Sequence, residues 1–186
     1  MKAHEKIGIV GRSGCGKSTI FLLLLRLLEL SKGSITVDGI DISKLNLTEL
    51  RRHITTIPQE PVIFKGTLRE NIDLFNTYTD EEVWNALDRV GLAKKFEKED
   101  ALRTAISEAG GNLSSGEKQL IVIARAILSK NKIVLLDEAT SNLDAQAEER
   151  VLKSIRENFS ECTVMTIAHR LETIIDSDRY YKVLKA

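Results

Sequence analysis

A chain of 186 residues is long enough to bury one well-packed core and too short for two ordinary domains to be expected. Its 27 Lys and Arg balance 27 Asp and Glu, so there is no overall basic field to hold nucleic acid or an anionic membrane, and any partner is recognised locally. The two cysteines, Cys15 and Cys162, fit neither a disulfide framework nor a metal-ligand spacing and point to a reducing, cytosolic setting; the longest apolar run, Ile20 to Leu25, is six residues, far short of the roughly 20 that span a bilayer.

Charges among the first ten residues leave no secretory apolar region. "KIGIV" (6 to 10) reads as a short strand ending at Gly11, and the Leu-rich "KSTIFLLLLRLLEL" as a helix running on from Lys17. In "GSITVDGIDI" two β-branched runs flank Asp38-Gly39, a pair suited to positive φ, which predicts a hairpin. A short helix over about 47–53 precedes "ITTIP", a buried strand that opens into the loop carrying Gln59.

From Gly66 to about Gly110 the pattern is helical. Val83, Ala86, Leu87 and Val90 fall on one face of a helix that Gly91 ends. Thereafter a helix at 115–129, a strand at 132–137, a helix at 145–159, a strand at 162–168, a short helix near 171–175 and a last strand "RYYKVL" alternate, which predicts a parallel sheet with right-handed crossovers.

Three stretches carry chemistry. Residues 11–18, "GRSGCGKS", fit G-x-x-x-x-G-K-[ST], in which glycines let backbone N–H groups curl round phosphates at a helix N-terminus. Lys17 then reaches the β- and γ-phosphates and Ser18 ligates Mg²⁺; a glycine turn that merely joined strand to helix would not require Lys and Ser there. In "KIVLLDEATSNLD" Asp137 ends an apolar strand, where ligands of open α/β sheets gather, so it can hold Mg²⁺ while Glu138 orients or deprotonates a water. In "GGNLSSGEKQLIVIARAIL" Ser114 and Glu117 have capping-box spacing ahead of an apolar face, so their plain reading is a helix cap.

The order of these motifs makes the chain resemble the nucleotide-binding domain of ATP-binding cassette (ABC) proteins. The phosphate loop at 11–18, Gln59, "LSSGE" (113–117), "IVLLDE" (133–138), "SNLD" (141–144) and His169 match that family's motifs in order, over nearly the whole chain. "VIFKGTLRENID" and "TIAHRLETIIDSDR" are most similar to exporter-type cassettes of the multidrug-resistance-associated subfamily. The resemblance implies an α/β fold: a P-loop NTPase core (1–65 and 130–186) with a central, mostly parallel sheet flanked by helices, plus a helical subdomain inserted at about 66–129.

It also implies a function: Mg-ATP hydrolysis that powers a membrane transporter. ATP would be held by Gly11, Arg12, Ser13, Gly14, Cys15, Gly16, Lys17, Ser18 and Thr19, and Mg²⁺ by Ser18, Gln59 and Asp137. Glu138, His169, Gln59 and Lys17 would be catalytic. Two cassettes would pack head to tail, with Ser114 and Gly116 of one covering the γ-phosphate held by the other. Transmembrane domains would lie on another chain or segment, placing the cassette at the cytoplasmic face of a membrane, with neither nucleic acid nor direct membrane insertion involved.

The sequence departs from the family pattern in two places. The signature of relatives usually reads Leu-Ser-Gly-Gly-Gln, whereas Ser115 and Glu117 stand here at its third and fifth positions. A carboxylate near a triphosphate is repulsive unless it folds back onto the Ser114 amide. Relatives also carry antiparallel strands and an adenine-stacking aromatic upstream, while residues 1–10 hold no Phe, Tyr or Trp. The expectation is a trimmed or engineered cassette core with those strands reduced or absent, and a nucleotide- or phosphate-binding module without useful turnover is the alternative reading.

Overall fold

The computed structural model describes residues 1–97, 101–168, 170 and 173–184. It forms two compact units, one of Met1–Thr56, Asn131–Glu138 and Cys162–Ala186, the other of Ile57–Lys130 and Ala139–Glu161.

The first unit is built on a five-stranded sheet in the order β4-β7-β8-β1-β9: β4 (Ile54–Ile57), β7 (Ile133–Asp137), β8 (Thr163–Ile167), β1 (Lys6–Gly11) and β9 (Arg179–Val183). Strand β1 runs parallel to both β8 and β9, and β7 parallel to β8. The central strands β1, β7 and β8 read as continuous β-branched and apolar runs because their middles are buried on both faces, whereas the edge strand β9 is mostly exposed. Ile7, Ile9, Leu135, Met165 and Ile167 pack with Phe21 of α1 (Lys17–Leu24) and Leu50 of α2 (Leu47–Arg52). This is a central parallel sheet flanked by helices, the α/β architecture that the resemblance implies. No described residue before Lys6 lies in a strand.

The hairpin forms where Asp38-Gly39 places it. Strands β2 (Thr36–Val37) and β3 (Ile40–Asp41) pair antiparallel, and both turn residues take positive φ, 49° and 78°, the geometry that matches strand twist.

Helix α1 is shorter than the leucine run suggests, ending at Leu24 rather than continuing to Leu30. Arg26 adopts φ 48°; its N–H donates to Leu23 O (3.1 Å) and that of Leu27 to Leu22 O (2.8 Å). That is a Schellman ending with arginine in the place usually held by glycine. Tertiary bonds select it: Arg26 Nη1 donates to Ile42 O (3.1 Å) and Leu45 O (2.8 Å), while Arg51 donates to the carbonyls of Leu25 and Arg26 (3.0 Å each).

The second unit is mostly helical. A two-stranded antiparallel ribbon, β5 (Gly66–Thr67) with β6 (Ala105–Ile106), accompanies α3 (Leu68–Ile72), α4 (Asp80–Arg89), α5 (Ser115–Ser129) and α6 (Ala145–Asn158). Helix α5 is its centre, with Leu120 to Ala124 and Ala126 to Leu128 all buried against α3, α4 and α6. Val83, Ala86 and Leu87 of α4 are almost fully buried, and Gly91 follows at φ 73°, as the apolar spacing predicts. Reciprocal capping boxes start α3 (Thr67, Glu70), α4 (Thr79, Glu82) and α5 (Ser114, Glu117).

Candidate functional site

In the first unit β1 leads straight into the phosphate-loop motif. Gly11 is obligatory there: a Cβ would lie 2.6 Å from Cys15 Sγ and 2.7 Å from the backbone oxygen of Val183. The loop closes with Cys15 N donating to Arg12 O (3.2 Å). Gly14 and Gly16 take φ 74° and 96°, a conformation that side chains oppose. Gly16 is the N-cap of α1 and supplies no side-chain acceptor, so the opening N–H groups of the helix keep the electropositive character that draws phosphate.

Arg12, Ser13, Gly14, Ser18 and Thr19 are exposed around this turn, and Cys15 is half-buried. Lys17 is only 6% exposed, with Nζ donating to the loop's own carbonyls at Gly11 (3.1 Å) and Arg12 (3.3 Å). The ammonium is thereby held inside the curve that a phosphate would fill.

At the end of β7, Ser18 Oγ donates to Asp137 Oδ1 at 3.4 Å. A hydroxyl and a carboxylate oxygen converging beside a phosphate loop suit a hard cation that takes its remaining ligands from phosphate and water, as Mg²⁺ does. Among the described residues no cluster of three or more His, Cys, Asp or Glu offers an all-protein cage instead. Glu138 follows at φ 49°, a left-handed conformation that is uncommon for a residue with a Cβ. Its N–H donates to Ile167 O (3.0 Å), which fixes the backbone of the Asp137-Glu138 pair to β8.

The second unit holds the other candidates. At the start of α5 Ser114 Oγ accepts from Glu117 N (3.3 Å) and Glu117 Oε2 accepts from Ser114 N (2.9 Å). The carboxylate does fold back, and its Oε1 is paired with Lys95 Nζ at 2.6 Å. Partial burial pushes the Glu117 carboxyl upward, but Lys95 and the Ser114 amide outweigh it and leave it below its ordinary value. Gly116 is buried, and a Cβ there would lie 2.9 Å from Ala147 Cβ on α6.

Gln59 is exposed and borders a pocket of about 240 Å³ that Ser115, Lys118, Gln119, Asn142 and Leu143 also line. Its loop is secured from behind: Gln119, buried on α5, donates through Nε2 to Pro58 O (3.1 Å). Gln119 has a signal in the sequence, a glutamine interrupting an apolar helix face, which marks a buried polar contact. Lys95 has none, since its partner lies 22 positions away.

The structure therefore gathers Lys17, Ser18, Asp137 and Glu138 in the first unit, and Gln59, Ser114 and Gly116 in the second. His169 lies outside the described residues.

The sequence pattern of the ABC transporter family matches residues 1–141. The chain is similar to ABC transporter C family member 12 of Dictyostelium discoideum, 54% identical over 180 residues, and to ATP-binding cassette sub-family C member 4 of Homo sapiens, 51% identical over 180 residues. Each match covers 96% of this chain and 14% of the relative, so the chain spans about a seventh of the length of those proteins. Among solved structures it is similar to a bacterial Atm1-family ABC exporter with ATP bound, with a TM-score of 0.89 at 37% identity, covering 98% of this chain and 32% of that one.

Proposed function

The chain belongs to the ABC transporter family, and on that premise we propose that it is the ATP-hydrolysing cassette of an exporter, binding Mg-ATP and converting it to ADP and phosphate in a head-to-tail pair. The observation that carries this reading is the loop from Gly11 to Ser18, with Lys17 already folded inside it and Ser18 hydrogen-bonded to Asp137.

Residues 11–19 surround the phosphates with backbone N–H groups, and Lys17 turns from the carbonyls of Gly11 and Arg12 to the β- and γ-phosphate oxygens. Ser18 and Asp137 would hold Mg²⁺, with Gln59 as a further ligand, and the ion would supply positive charge to the phosphate oxygens. Glu138 takes the proton of the attacking water, and His169 and Gln59 keep that water in line. Ser114 and Gly116 of a second copy present the N-terminus of α5 to the γ-phosphate, so that hydrolysis depends on association.

The C-subfamily relatives support a transport role in which transmembrane domains, located elsewhere, receive the work of this cycle at the cytoplasmic face of a membrane. No helix among the described residues is long and apolar enough to cross a membrane.

Nucleotide binding and phosphate release on the purified chain test the proposal. ATP binds more tightly than pyrophosphate, release of phosphate requires Mg²⁺, and Lys17→Met lowers ATP affinity at least tenfold, the scale of a lost charge-assisted contact to phosphate. Equal affinity for ATP, GTP and pyrophosphate together with no phosphate release would sink it, and would favour a phosphate-binding module without turnover.

A further inference from the structure

Glu117 poses a local electrostatic problem for the proposed site. A carboxylate one turn into α5 sits where the helix N-terminus should attract a phosphate. Both oxygens of Glu117 are nevertheless engaged, Oε2 by the Ser114 amide at 2.9 Å and Oε1 by Lys95 Nζ at 2.6 Å.

Lys95 comes from a fixed place rather than from a loose surface tail. It lies in the 3₁₀ turn Ala93–Phe96, which is pinned by the buried Leu92 and Phe96, and its ammonium stands 5.6 Å from the centroid of the Phe96 ring. The pair is partly screened from water, with side-chain exposures of 42% for Lys95 and 22% for Glu117. It is therefore less diluted by solvent than a fully exposed pair.

We propose that Lys95 is a positioning residue of the trans half of the site: it holds Glu117 on the Ser114 amide and offsets its charge, so that the N-terminus of α5 can receive the γ-phosphate of ATP bound to a second copy. This rests on the cassette reading above. Lys95 acts through Glu117, whose carboxylate it pairs with. The lowered carboxyl of Glu117 agrees with a charge that is stabilised where it stands.

Four chains test the inference: the parent, Lys95→Met, Glu117→Gln and the double variant, each sedimented with Mg-ATP and with Mg-ADP. Lys95→Met raises the Mg-ATP concentration needed for half-maximal association about five- to tenfold when Glu117 is present, the scale of one uncompensated charge several ångströms from a phosphate near a protein surface. In the Glu117→Gln background the same change has less than about a twofold effect, because no charge is left to offset. A fifth chain, Lys95→Arg, keeps the parent behaviour.

A second readout needs no association. The Ser114 amide resonance follows ionisation of Glu117, and Lys95→Met moves its titration midpoint upward, because the ammonium that lowers it is gone. An unmoved midpoint, or an equal loss of association in both backgrounds, overturns the inference. Failure of all four chains to associate with Mg-ATP instead overturns the head-to-tail reading, and the γ-phosphate role of the pair with it; the amide titration tells the two failures apart.

Discussion

At Asp73 the fold keeps a carboxylate almost sealed from water, with its side chain 1% exposed. Burial alone would raise its proton affinity, but Arg69 Nη1 at 2.9 Å and the amides of Tyr78 (2.8 Å) and Thr77 (3.1 Å) outweigh it and hold the group at about 2, against an ordinary 3.8. Arg69 also pairs with Asp80 and donates to Tyr78 O, so the turn from Asp73 to Asp80 is fastened to α3 through one guanidinium. The folded carboxyl ionises more readily than the unfolded one, so its stabilisation is fully present above the unfolded value and is lost as pH falls from about 4 toward 2. The gap is worth about 2 kcal/mol. Between pH 5 and pH 2, urea unfolding of the parent should lose about that much more stability than unfolding of Asp73→Asn. An identical acid dependence in the two chains would contradict the assignment.

Among elements, α1 shows a contest between local and tertiary terms. Glycine at position 26 would relieve a left-handed conformation worth about 1 kcal/mol. Against that stand the two charge-assisted bonds from Arg26 to Ile42 O and Leu45 O, each worth about 1.5 to 3 kcal/mol. Arg26→Gly is therefore expected to destabilise the chain by about 2 kcal/mol in chemical denaturation; a more stable variant would show that the carbonyls are equally well served by water. The same contest explains what the sequence disclosed. The Asp38-Gly39 hairpin, the buried face of α4 and the Ser114 box of α5 were legible because turn chemistry, periodicity and capping act over a few residues. The early end of α1 was not, since it depends on Arg51 and on carbonyls 16 and 19 positions beyond Arg26. The phosphate loop and the Asp137-Glu138 pair stood out as candidates because their residue types and spacing are tied to phosphate chemistry. Lys95 and Gln119 did not, because each acts on a partner that only folding brings near.

On the scale of the whole molecule, neutral net charge leaves the proposed ATP chemistry to local arrangements, and these fall in two groups. One unit carries the phosphate loop with Ser18, Asp137 and Glu138, and the other the capped start of α5 with Gln59. A head-to-tail pair would bring the α5 start of one copy to the loop of another, which makes hydrolysis a property of the associated form. Phosphate release should then rise more steeply than linearly with chain concentration, until the pair is saturated.

Whether the associated chain hydrolyses ATP through Glu138 is read from phosphate release from Mg-ATP by the parent and by Glu138→Gln, with sedimentation of both. Turnover should be lower by about a hundredfold or more in Glu138→Gln, the usual scale for a lost general base, while ATP remains bound and the associated form accumulates. Turnover at the parent rate in Glu138→Gln, rising only in proportion to chain concentration, would contradict hydrolysis through Glu138 in the associated form.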